Sequence, residues 1–134
     1  MKRVSFWRCT SPLARDDGTV AIEFAIVGLI FFALLLGSIE LGRVMWMRNS
    51  VQFAAEEAAR WALVRPTAST TQIQDFARTR LTSTPATATI TATFEPDAGV
   101  VYVVVNLTQV FTPVTTLVST GVITVTGRAR MPLG

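Results

Sequence analysis

Two residues near one end of this 134-residue chain, Gly18 and Glu23, carry its most specific chemical signal. Glu23 is the only charge in a run of twenty residues from Val20 to Ile39. A carboxylate inside so apolar a segment is expensive and marks a functional site. Gly18 stands five residues before it, directly behind a short basic stretch. Little else offers reactive chemistry. The chain has no His, and its one cysteine, Cys9, precedes the apolar run. No intrachain disulfide is available, and the usual zinc, thiol and Ser-His chemistries lack their residues. The acids beyond the run are scattered, or adjacent as Glu56-Glu57. The expectation is a chain without cofactor or metal that is not an enzyme.

The element that positions Glu23 is a membrane helix. Twenty helical residues rise about 30 Å, the thickness of a bilayer's hydrocarbon core. Half the residues are hydrophobic and mean hydropathy is +0.45, too apolar for an ordinary soluble domain of this length. A net charge of +3 invites a nucleic-acid reading, but its distribution argues against one. Four basic residues, Lys2, Arg3, Arg8 and Arg15, precede the run, and beyond residue 19 eight arginines face seven acids with no basic stripe. The basic leader instead predicts a cytoplasmic N-terminus and a translocated C-terminal part.

Residues 1–18 read either as a polar cytoplasmic tail or as a leader that is removed. The uncharged core from Phe24 to Ile39 is sixteen residues long, beyond the 7–15 of a secretory signal core. The exit LLLGSIE also lacks its small residue at Leu35, which favours an uncleaved anchor over an ordinary signal peptide. Helix continues past the membrane, because Leu41 to Val64 contains no proline and many good helix formers. Val51, Ala54, Ala55, Ala58 and Ala62 form a small-residue face, and Glu56 pairs with Arg60 at i, i+4. Pro66 ends the element. A helix from about Val20 to Val64 would be roughly 68 Å long, about twice the bilayer core. Glu40, Gly42, Arg43, Trp46 and Arg48 lie where it leaves the lipid, and Arg43, Trp46 and Arg48 suit interfacial anchoring. Gly28, Gly37 and Gly42 suit helix packing or lipid exposure equally well. Phe53 and Trp61 are expected in the core of the exterior domain.

A polar connector follows, with Ser69 or Thr71 as N-cap and Gln72 or Gln74 as its capping-box partner. The second helix turns Ile73, Phe76, Ala77 and Leu81 to one face. The period then changes to two. Thr87, Thr89, Thr91 and Thr93 alternate with Ala88, Ile90, Ala92 and Phe94 in a half-exposed strand. A turn at Pro96 to Gly99 uses Pro to preset φ and Gly for a positive φ. Val100 to Leu107, apolar on both faces, is the inner strand. Val122 to Met131 is the last, with Ile123, Val125, Gly127, Ala129 and Met131 on one side. The sequon Asn106-Leu107-Thr108 falls inside a strand and reads as chance.

The predicted fold is α+β: a long N-terminal helix, half transmembrane and half exterior, a short second helix and a small antiparallel sheet of about three strands. A sheet that small needs a helix against one face, and the Ala-rich half of the long helix supplies it. Three regions result: a leader at 1–18, a transmembrane helix at 19–42, and an exterior α+β domain at 43–134 containing the helix continuation.

The stretch GTVAIEFAIVGLIFFALLLGSIELGR, residues 18–43, resembles the TadE-like minor pseudopilins of the tight-adherence (Flp) pilus system, pilin-like proteins with a class III leader. Glu23-Phe24 is similar to the Glu-Tyr of that system's major pilin, and Glu40-x-Gly42-Arg43 resembles the TadE-like helix exit. The resemblance implies a pilin-like fold and cleavage by a prepilin peptidase between Gly18 and Thr19, leaving 116 residues. Gly suits such a site because backbone without a side chain enters a cleft extended. It also implies that Glu23, at mature position five, meets the new N-terminal amine of a neighbouring subunit, with Phe24 beside it in the register. Implied partners are membrane lipid, the prepilin peptidase, other pilin or pseudopilin subunits and the assembly platform, with no nucleic acid. The implied location is the bacterial inner membrane, single-pass, with a periplasmic domain that enters a pilus. Thr19 at mature position one gives no ground for N-methylation. Two other readings stand: an uncleaved anchor with a partner-binding periplasmic domain, and a type II secretion pseudopilin.

Overall fold

The computed structural model describes residues 17–82, 88–114 and 121–133. Its elements are α1 (Asp17–Leu63), α2 (Thr70–Arg80), β1 (Ala88–Asp97), β2 (Val100–Phe111) and β3 (Ile123–Leu133). The fold is α+β, as the periodicities predict. The chain divides between Leu35 and Leu36 into two compact units.

The first unit contributes the apolar start of α1. Val20, Ile22, Phe24, Leu29, Phe31 and Leu34 are all exposed. None of the most apolar window of α1 is buried within the chain, although the helix is long and apolar enough to cross a membrane. An α-helix satisfies its own backbone hydrogen bonds, so such a surface is stable in lipid and costly in water.

In the second unit, the three strands form one antiparallel sheet in the order β1-β2-β3. The doubly apolar β2 is central. Its Val103, Val105 and Leu107 are fully buried and join Val51, Ala54, Ala55 and Ala58 of α1 and Ile73 and Ala77 of α2 in one core. Alanines let helix and sheet approach closely, and the tightest approach is at Gly127 of β3. A Cβ placed there would lie 2.9 Å from the backbone of Val51 and of Gln52. Gln52 completes the contact. Its side-chain amide donates to the Arg128 carbonyl and accepts from the Arg128 N–H, each at 3.2 Å.

The cap of α2 is Ser69 with Gln72, whose reciprocal bonds to backbone make a capping box. Trp61 is half-buried and stacks on Phe76 with ring centroids 5.0 Å apart, joining α1 to α2. Phe53 corrects the expectation of a core position, since it is 54% exposed. Two residues past Val51 on a 3.6-residue helix is about 200° of rotation, which turns Phe53 away from the sheet. The hairpin turn is a second correction. Pro96 is paired with Val101 inside β1, and the turn consists of Ala98 and Gly99, with φ of 49° and 86°. Two-residue loops that match strand twist need positive φ at both positions. All three strands run past their predicted C-terminal ends, and β2 continues to Phe111 because Gln109 and Phe111 are also buried. The threonine alternation holds at Thr89, Thr91 and Thr93, which are exposed opposite buried Ile90 and Ala92. Cys9, Thr87 and most of the leader lie outside the described residues.

Candidate functional site

Gly18 and Thr19 lie in the first turn of α1 and are exposed. A Cβ at Gly18 would meet nothing within 4 Å. Residues 17–19 are helical rather than extended, so the helix reaches back past the predicted leader boundary.

Glu23 is exposed on the next turn and has no ion-pair or hydrogen-bond partner among the described residues. Ile26, Val27 and Ile30, one and two turns on, are exposed apolar neighbours. Phe24 is 78% exposed. The carboxylate thus stands alone on an apolar surface, near the helix N-terminus whose partial positive charge favours an anion.

Four of the exit residues, Glu40, Gly42, Arg43 and Trp46, separate into two kinds. Gly42, Arg43 and Trp46 are exposed, with Trp46 at 59%. Glu40 is 3% exposed and turned inward. Its carboxylate accepts from Arg43 Nη1 at 3.0 and 3.2 Å and from the backbone N–H of Val114 at 2.9 Å. The Arg43 guanidinium also lies 5.2 Å from the centre of the Phe111 ring. Glu40 and Arg43 therefore clasp α1 to the end of β2. Sequence reasoning missed this role, although a signal was present: Glu40 sits three turns before Val51, on the stripe that continues through Val44 and Met47.

Other charges serve the sheet. Arg130 donates to Asp97 at 2.6 Å and lies 3.8 Å from the Tyr102 ring centre. The bond to Asp97 raises the Arg130 pKa above its ordinary value. The raised pKa keeps the guanidinium charged through the ordinary arginine range, so rising pH removes its charge from the pair only beyond that range. Among the described residues no cluster of His, Cys, Asp and Glu could hold a metal ion.

These features define a class: an α+β protein whose long helix is of membrane-spanning length and carries at its head a carboxylate unpartnered among the described residues. The model of the TadE-like protein family matches residues 18–60. Over that segment the chain is TadE-like, as the run from Gly18 to Arg43 predicts. The match takes in Gly18, Glu23, the Glu40–Arg43 clasp, Trp46 and most of the alanine face. No significantly similar curated protein or solved structure was found.

Proposed function

We propose that the chain is a minor pilin-like subunit of a tight-adherence pilus, a structural protein rather than an enzyme, anchored by α1 and cut between Gly18 and Thr19 by a prepilin peptidase. The observation that carries this reading is Glu23. It is a carboxylate unpartnered among the described residues, five residues beyond an exposed glycine, at the head of an exposed apolar helix, inside the TadE-like segment. Cleavage creates an amine four residues before it. In a cluster of such helices, the amine of one subunit offsets the desolvation of the carboxylate of the next. The contact sets the axial register of the helices and favours extraction of the subunit from lipid. The basic leader puts the N-terminus in the cytoplasm and the sheet in the periplasm of a bacterial inner-membrane protein. Phe24, exposed beside Glu23, packs in the same contact.

Intact-mass measurement of the membrane-extracted protein, produced with its cognate peptidase, tests the reading. The expected chain begins at Thr19, and Gly18→Val retains residues 1–18. A wild-type chain that keeps its leader favours the uncleaved anchor instead. Glu23→Ala is expected to be processed but to enter pili at least tenfold less, measured by immunoblot of sheared filaments. Undiminished entry would reduce Glu23 to a residue that merely reaches for the headgroups.

A further inference from the structure

The bonds between Gln52 and Arg128 close one position on the outer edge of β3, and they fix which backbone groups face that edge. In an antiparallel strand the N–H and C=O of one residue point the same way. Arg128 points both away from β2, toward α1. The β2–β3 register is unbroken from Ile123 to Leu133, so Thr126 and Thr124 point their N–H groups to the same side. Neither N–H has a hydrogen-bond partner among the described residues.

One turn before Gln52 on α1 stands Arg48. Here helix and strand diverge into an open cleft of about 280 Å³ lined by Val44, Arg48, Ile123, Thr124, Val125 and Thr126. Arg48 is exposed and has no acidic partner among the described residues. The cleft thus gathers a guanidinium unpaired among the described residues and two edge N–H groups. It contains no carboxylate, and Val44, Ile123 and Val125 supply apolar walls. Guanidinium and backbone N–H groups are donors only, and together they favour an oxyanion.

Its level on α1 says which oxyanion. The apolar run ends at Ile39, and Arg48 is nine residues further on, a rise of about 13 Å. The headgroup layer is about 5–8 Å deep on each side of the hydrocarbon, and an arginine side chain reaches several ångströms back toward it. We infer that the cleft between Arg48 of α1 and the Thr124–Thr126 edge of β3 binds the phosphate of an anionic phospholipid headgroup at the membrane surface. Arg48 pairs with the phosphate, the Thr126 N–H takes a second oxygen, and the apolar walls cover the glycerol end. The inference rests on α1 as a membrane span and is independent of leader processing and of Glu23.

Native mass spectrometry of the full chain in detergent, titrated with phosphatidylglycerol, phosphatidylcholine or inorganic phosphate, tests it. Wild-type protein is expected to retain phosphatidylglycerol in preference to phosphatidylcholine. Arg48→Gln is expected to bind it roughly fivefold or more weakly, with Arg48→Lys intermediate. Arg128→Gln, which changes an exposed arginine outside the cleft, is expected to leave retention unchanged. Equal retention by wild type and Arg48→Gln overturns the site. Binding of inorganic phosphate as tight as that of phosphatidylglycerol overturns the lipid as its ligand. Circular dichroism melting of each variant verifies the fold, and Thr126→Pro, which removes one edge N–H, is a second probe expected to lower retention.

Discussion

Two glutamates in one helix show how position decides what a carboxylate does. Glu23 is exposed among apolar side chains and unpartnered among the described residues, so its free energy depends strongly on what another group brings to it. Glu40 is buried and fully engaged by Arg43 and the Val114 N–H. Removing it breaks the charged hydrogen bonds to Arg43 and to the Val114 N–H, worth about 1.5–3 kcal/mol. Glu40→Ala is expected to lower stability by that amount in a denaturant melt of the detergent-solubilised protein. Glu40→Gln, which keeps an acceptor, is expected to cost less. Arg43 is nearly half exposed at its side chain, so solvent screens its charge and Arg43→Ala is expected to cost less than Glu40→Ala. A larger loss for Arg43→Ala than for Glu40→Ala would show that the stacking on Phe111, not the carboxylate, holds the clasp.

At the scale of elements, the exterior part of α1 is held to the sheet by small residues. Alanine faces bury little area individually, and their contribution is to let backbones approach closely. Gly127 is the limiting case, because the atoms that a Cβ would meet at 2.9 Å are helix backbone and cannot rotate aside. Gly127→Ala is therefore expected to destabilise by about 1–3 kcal/mol through strain, read as a lowered melting temperature. Leu107→Ala, at a fully buried position of the central strand, is expected to cost about 2–5 kcal/mol through loss of packing. An unchanged Gly127→Ala melt would mean that α1 can lift from β3 without loss, contrary to the bonds from Gln52 to Arg128.

At the scale of the whole molecule, one chain holds an exposed apolar helical unit, long enough to cross a membrane, and a conventionally packed α+β unit. The contrast is thermodynamic: the first buries its apolar surface only in a bilayer or against other chains, and the second buries it internally. The protein is expected to stay with membranes through alkaline washing and to leave them only with detergent. Leu34→Asp, which places a charge in the middle of the apolar run, is expected to weaken insertion by about 2.5–3.5 kcal/mol. Fractionation followed by immunoblot measures both. Release of the wild-type chain by alkali would overturn α1 as a membrane span.

The features that the sequence by itself determined are those written in local spacing. The apolar length of α1, the alanine stripe, the Ser69–Gln72 box, the threonine alternation of β1 and the central place of β2 follow from periods of 3.6 and 2. Each depends on neighbours a few residues away. Gly18 and Glu23 were legible for the same reason, since their meaning lies in a five-residue interval and a charge-free run. What only the tertiary structure decided joins residues far apart in the chain: Glu40 to Val114, Gln52 to Arg128, Gly127 to Val51, and Arg48 to the threonines of β3. No local period encodes which turn of a helix crosses which strand. That is set when two complementary faces pack, and it turned an apparent lipid anchor at Glu40 into an internal clasp and placed Arg48 over an open strand edge.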